Sequence, residues 1–205
     1  MGMNKNNYLI AVCFIVTAIA CNSNGNTQLE PVTTSEAAEN AGKHLDDTLT
    51  IKITGARFKD LAPEIVLEMK GLVQHYLEMK NFLISEDEDK ATKAAAQLLS
   101  ALHKFDTSKL TPAQRERYDA VAQNIIDQTE AISNRKIEDQ RAQFALLGKG
   151  ISTLVKDFGA GRVVYQDHCP MYKDWSTWLS ESKEIRNPFF GADMRTCGTV
   201  EAILQ

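Results

Sequence analysis

The sequence predicts a mainly α-helical fold, an up-down-up-down four-helix bundle followed by an irregular C-terminal tail that contains a short strand. Four consecutive stretches carry apolar residues at steps of three and four, the spacing of one helix face. The links between these stretches are short, which makes neighbouring helices antiparallel. From Gly161 onward the helical spacing stops, and glycine, proline and asparagine indicate turns.

Each predicted helix has its own boundary signals. The first covers about residues 62–84, and Pro63 suits its first turn because the missing N–H has no partner to lose there. The second covers about residues 86–104, with Ser85 expected as the N-cap. The third starts at Thr111-Pro112 with Gln114 completing a capping box, and the fourth covers about residues 137–158, before Gly159.

Two short segments outside the helices favour strands. Residues 48–54 alternate between apolar and polar side chains, and Val163–Tyr165 is a β-branched and aromatic run. The chain is therefore divided into a signal peptide (1–20), a lipidated tether (21–47), a short strand and link (48–60), the four-helix bundle (61–160), and a tail packed on the bundle (161–205).

The N-terminus is typical of an exported lipoprotein. Lys5 precedes an uncharged apolar run that ends Ala18-Ile19-Ala20-Cys21, which resembles the lipobox of bacterial lipoproteins. We expect cleavage before Cys21 and lipid on that cysteine, holding the protein to a membrane. Asn22, rather than aspartate, follows the cysteine and favours a periplasm-facing position at the outer membrane. The alternatives are an uncleaved anchor or an ordinary signal peptide.

Composition argues against two functional classes. The formal net charge is −4, and no stripe of basic residues is present, so nucleic-acid binding is not expected. The sequence contains no nucleophile elbow, phosphate loop, zinc-protease motif or Cys-x-x-Cys pair, so we do not expect an enzyme.

The tail contains the chain's only dense group of sulfur and imidazole side chains. The candidate metal ligands are His168, Cys169, Met171, Met194 and Cys197. Thiolate and thioether sulfurs favour Cu(I), and imidazole also suits copper. A lone cysteine pair outside the cytoplasm equally favours a Cys169–Cys197 disulfide, and alternation between the two states is a third reading.

The tail also resembles a family of bacterial periplasmic lipoproteins described as a domain of unknown function. The matching residues are Tyr165, Cys169-Pro170-Met171, Trp178-Leu179, the run from Glu184 to Gly191 that contains Asn187-Pro188-Phe189-Phe190-Gly191, Met194, and Cys197-Gly198. The resemblance covers about residues 61–200. Members of this family occur alone or attached to the periplasmic adaptor subunits of copper and heavy-metal efflux pumps.

The resemblance implies an extracytoplasmic metal-binding accessory protein. It would bind Cu(I) for buffering or transfer near an efflux system, with the periplasmic adaptor as a partner. The alternative is a structural or adaptor-docking lipoprotein that binds no metal and has a Cys169–Cys197 disulfide.

Overall fold

The computed structural model describes residues 51–133, 135–173 and 175–205. The predicted signal peptide, the tether and the lipidation site Cys21 lie outside these ranges. Within them, no helix is both long enough and apolar enough to cross a lipid bilayer.

The prediction of four helices is confirmed. They are α1 (Pro63–Ile84), α2 (Glu88–Lys104), α3 (Pro112–Ile132) and α4 (Ile137–Phe158), with one 3₁₀ turn at Thr107–Lys109. Helix α1 packs against α2 and α4, and α3 packs against α2 and α4. The predicted apolar stripes meet in one core, in which Ile65, Leu98, Ile125 and Leu147 are completely buried.

One predicted helix start is confirmed and another is wrong. The Thr111 hydroxyl accepts from the Gln114 N–H, and the Gln114 side chain accepts from the Thr111 N–H, which completes the capping box of α3. At α2, Asp87 is the N-cap instead of Ser85, and its carboxylate accepts from the Lys90 N–H at 3.1 Å. The reason is that Ser85 still belongs to the end of α1, where its N–H donates to the Asn81 carbonyl.

The expectation of an irregular tail with one short strand is corrected. The structure has a four-stranded sheet of β1 (Lys52–Thr54), β2 (Val164–Cys169), β3 (Ser176–Ser180) and β4 (Thr199–Leu204), in the order β1-β4-β2-β3. Strand β1 is parallel to β4, and the other two neighbouring pairs are antiparallel. Strands this short form because distant partners pair with them, and local sequence patterns do not report distant partners.

The sheet meets the helices through the edge of β3. The backbone N–H of Leu179 donates to the hydroxyl of the buried Tyr76 on α1 at 3.3 Å. Beside it, the carbonyl of Thr177 lies so close to Gly148 on α4 that a side chain there would collide with it. Helix α4 and the Tyr76 side chain therefore cover the outer edge of β3, whose unpaired backbone groups would otherwise face solvent.

Candidate functional site

The candidate site is a pair of thiols in the C-terminal segment, residues 161–205. Cys169 is the last residue of β2 and is fully buried, whereas Cys197, two residues before β4, is partly exposed. Both are free cysteines, and their sulfur atoms lie 3.5 Å apart. The structure thus brings together two of the five predicted ligands, one in the core and one within reach of solvent.

Asn187 holds the Cys197 side of this pair. The Asn187 side chain is fully buried, and its Nδ2 donates to the Cys197 carbonyl at 2.6 Å. Its Oδ1 accepts from the Phe189 N–H at 2.7 Å, and its own backbone N–H donates to the Arg195 carbonyl. One asparagine therefore joins the two ends of the loop between residues 187 and 197.

An aromatic cluster lies beside this loop. The Phe189 ring stacks on Tyr172 with centroids 4.7 Å apart and meets Trp178 edge-on at 5.5 Å. Gly198 has φ of 139°, and a Cβ there would lie 2.8 Å from the His168 carbonyl oxygen. Only glycine fits both the backbone conformation and the space, so Gly198 lets the chain pass close to β2 on its way from Cys197 into β4.

The structure places His168 away from the thiol pair. Successive side chains of a strand point to opposite faces, so His168 and the adjacent Cys169 diverge. The His168 ring stacks on Trp175 at 4.3 Å, and its Nδ1 lies 3.3 Å from the Thr199 hydroxyl. Its nearest carboxylate is Glu201, at 4.0 Å.

The two methionines are placed differently. Met194 is partly buried and belongs to the same turn as Cys197, because the Cys197 N–H donates to the Met194 carbonyl at 3.1 Å. Met171 follows Cys169 by two residues, and 68% of its surface is exposed. Met194 is therefore connected to the site through its backbone, whereas Met171 lies on the open surface.

Proximity changes the acidity of the pair. The hydrogen bond with Cys169, together with burial, raises the pKa of the Cys197 thiol above its ordinary value. A second thiolate is costly beside a first one at this distance unless a cation lies between them. The Cys197 thiol therefore holds its proton more tightly than an isolated cysteine does.

The donor set limits the metals that fit. Within residues 51–133, 135–173 and 175–205, no three His, Cys, Asp or Glu side chains form a cluster that could hold a metal ion. A structural zinc site needs four ligands of these types, whereas Cu(I) is well served by soft sulfur donors, including thioethers. The two thiols would therefore suit Cu(I) better than a structural zinc ion.

A buried charged cluster on the same sheet was not anticipated from the sequence. Asp167 is fully buried, both of its carboxylate oxygens lack a hydrogen-bond partner in the described part of the chain, and burial raises its pKa to about 8. Lys80 of α1 is also buried, which lowers its pKa, and its ammonium contacts Glu181 and the Ser180 hydroxyl. The available signal was Lys80 itself, a cation one helical turn from Tyr76 on the apolar face of α1.

Comparisons with known proteins identify one domain. A family model described as protein of unknown function (DUF3347) matches residues 72–162, so a DUF3347 domain runs from the middle of α1 to just beyond α4. The match ends before β2 and contains neither cysteine of the pair. No curated protein and no solved structure matches the chain.

Proposed function

We propose that this chain is a lipid-anchored, periplasm-facing accessory protein that binds Cu(I) through Cys169 and Cys197. The observation that carries the proposal is the 3.5 Å separation of two free thiols, one buried and one partly exposed. Soft thiolates select Cu(I), and an exposed sulfur gives the ion a route to and from a second protein. The protein would buffer Cu(I) or pass it on near a heavy-metal efflux system, with a periplasmic adaptor as its partner.

Binding of Cu(I) would replace the two thiol protons with one metal cation. Two thiols each lose a proton to solvent, two Cu–S bonds form, and the oxidation state of copper does not change. Because the pKa of the Cys197 thiol is raised, Cu(I) must compete with a tightly held proton. Affinity for Cu(I) should consequently increase with pH through the range in which Cys197 loses that proton.

The anchoring and the arrangement of the helices are parts of the same proposal. Lipid on Cys21 would hold the protein to the outer membrane, with residues 21–47 as the tether. The four helices would run up-down-up-down, since the links of three to seven residues between them favour antiparallel neighbours.

The second candidate function is a structural or adaptor-docking lipoprotein with a Cys169–Cys197 disulfide. The same proximity favours it, because an external disulfide oxidant could accept two electrons and two protons from the thiols and so join sulfurs that are already neighbours. Closing a loop between residues 28 positions apart would stabilise the fold by about 3 to 4 kcal/mol. The two functions differ in the thiol state and in the response to copper.

A Cu(I) competition experiment tests the metal function. The reduced protein should take Cu(I) from a chelator, and Cys169→Ser should weaken binding most because a charged, soft donor is lost. Met194→Leu should weaken it less, since it removes a neutral donor at nearly constant volume. Met69→Leu, a buried methionine of α1, is the matched control and should leave the affinity unchanged.

The reverse result would support the disulfide. A Cys169→Ser, Cys197→Ser double variant that retains full Cu(I) affinity would exclude the thiol site. Protein isolated from its own compartment with no alkylatable thiol, and with stability that falls equally in either single serine variant, would assign the pair to a structural bridge.

The anchor is tested separately. Cys21→Ser should move the protein from the membrane fraction to the soluble fraction or block its processing, and labelling by a palmitate analogue should vanish. Cys197→Ser retains the lipidation site and should remain in the membrane fraction. Unchanged labelling in Cys21→Ser would contradict lipidation without affecting the copper proposal.

A further inference from the structure

A second candidate site lies where the link after β1 passes the end of α4. A cleft of about 510 Å³ opens there, and Arg57, Arg117 and Lys156 bring three cationic side chains to its wall. Its volume lies within the range of small-molecule sites. None of the predicted copper ligands lines it, so it is distinct from the thiol pair.

Asp157 fixes the two arginines side by side. Its side chain is only 3% exposed, and its two oxygens accept from Arg57 Nε and Arg117 Nε at 2.8 Å each. The arginine side chains are 61% and 40% exposed. Each arginine thus donates its Nε–H to the Asp157 carboxylate. Within the described residues, the Nη groups of both arginines have no hydrogen-bond partner.

The backbone supports the same arrangement. The N–H groups of Arg57 and Phe58 donate to the carbonyls of Lys156 and Asp157 at 2.9 Å each. These carbonyls belong to the last turn of α4, whose negative end would otherwise repel an anion. The link therefore covers part of that negative end and at the same time positions Arg57.

The charge of this cleft is opposite to that of the chain. Three cations and one buried carboxylate leave a local excess of positive charge, whereas the whole chain has a formal charge of −4. Guanidinium groups with free Nη donors match oxyanions, and phosphate oxygens accept several such hydrogen bonds at once. If Asp157 served only to neutralise the two arginines, both guanidinium groups would not need to line an open cleft.

We infer that this cleft binds a phosphate group, held by the Nη donors of Arg57 and Arg117 and by the Lys156 ammonium. The phosphate belongs either to a small soluble molecule or to a phospholipid headgroup, which present the same chemistry to the cleft. Asp157 does not touch the ligand and acts as a positioning residue for both arginines. This inference is independent of copper binding and of lipidation.

Calorimetric titration of the full chain with inorganic phosphate tests the inference. Arg57→Gln should lower the affinity about tenfold to a hundredfold, since a charge-assisted hydrogen bond is lost. Lys156→Gln should lower it several-fold; among the described residues the ion-pair partners of Asp157 are Arg57 and Arg117, so this variant keeps both ion pairs intact. Arg135→Gln, an exposed arginine before α4, is the matched control and should bind phosphate like the parent protein.

Loss of one arginine leaves the buried Asp157 with a single ion-pair partner and can destabilise the fold. The thermal unfolding temperature of each variant is therefore measured as well. Lys156→Gln should unfold at the parent temperature yet bind more weakly, which separates binding from folding. Absence of saturable phosphate binding, or an equal loss in Arg135→Gln and Lys156→Gln, would overturn the inference.

Sedimentation with lipid vesicles distinguishes a phospholipid headgroup from a soluble phosphate compound. The parent chain and Arg57→Gln are sedimented with vesicles of phosphatidylglycerol and phosphatidylcholine, and with phosphatidylcholine alone. Extra binding of the parent chain to the anionic vesicles, reduced in Arg57→Gln and competed by inorganic phosphate, would assign a headgroup. Equal sedimentation of the two proteins, together with saturable binding of inorganic phosphate, would assign a soluble phosphate compound.

Discussion

The helical region, residues 63–158, and the C-terminal segment, residues 161–205, are stabilised in different ways. The helices share an apolar core that is formed by many buried hydrophobic side chains in van der Waals contact. The C-terminal segment adds side chains such as Trp178 and Leu179 to that core. It is also held by a few specific polar contacts, such as the two side-chain hydrogen bonds of Asn187 and the Tyr76 hydroxyl on the edge of β3. Substitutions in the first region should therefore change global stability, and substitutions in the second should change the thiol pair first.

The largest expected effect is in the helical core. Leu98 on α2 is completely buried, and Leu98→Ala should lower the free energy of unfolding by about 2 to 5 kcal/mol through lost burial and the resulting cavity. The measurement is urea unfolding followed by circular dichroism. The alkylation rate of Cys197 in the native protein should not change, and a marked increase would show that the two regions are not separable in this way.

A smaller effect on stability, but a larger one on the site, is expected at Asn187. Asn187→Ala removes two buried side-chain hydrogen bonds and should cost about 1 to 3 kcal/mol. Cys197 should then react faster with an alkylating reagent, because its carbonyl is no longer held. Asn124→Ala, on the exposed face of α3, is the control, and equal alkylation rates in the two variants would refute a positioning role for Asn187.

The boundary between the regions can be tested with two helix glycines. Gly148→Ala should destabilise by about 1 to 3 kcal/mol, because the new methyl group meets the rigid Thr177 carbonyl. Gly71→Ala has nothing within 4 Å and should stabilise by about 0.5 to 1 kcal/mol through helix propensity. Thermal unfolding of the two variants gives the sign of each change directly, and stabilisation by both changes would mean that Gly148 has no special contact.

A further effect, on the pH dependence of stability, is expected at Asp167. The pKa of Asp167 is raised to about 8 by burial, so the folded protein keeps a proton that the unfolded chain releases near pH 4. Stability should fall as pH rises from about 4 to about 8 and then level off. Asp167→Asn should make that fall shallower in urea unfolding, whereas Asp119→Asn on the exposed face of α3 should not.

The helical region was predictable because its signals are local. The stripe from Ile65 through Leu83 and the capping box at Thr111 each lie within a few turns of one element. The sheet was not predictable in the same way, since Ile53 pairs with Ile203, 150 positions away. No pattern within either strand reports that partner.

The site was half predictable. Cys169 and Cys197 followed from counting the cysteines that remain after the signal peptide and Cys21. His168 was grouped with them because it is adjacent in sequence, but β2 extends through Cys169, and alternation along the strand separates the two side chains. The role of Asn187 could not be inferred, because its partner is a backbone carbonyl brought close by the fold.

The order of the strands has a consequence for how this protein reaches its native state. Strand β4 lies between β1 and β2, although β1 precedes the four helices and β4 follows them, so β1 has no sheet neighbour until β4 is in place. Contacts between such distant residues form late because the entropy of closing a long loop must be overcome first. The helices can therefore assemble before the complete sheet forms, and Cys197 comes close to Cys169 only when β4 pairs with β2.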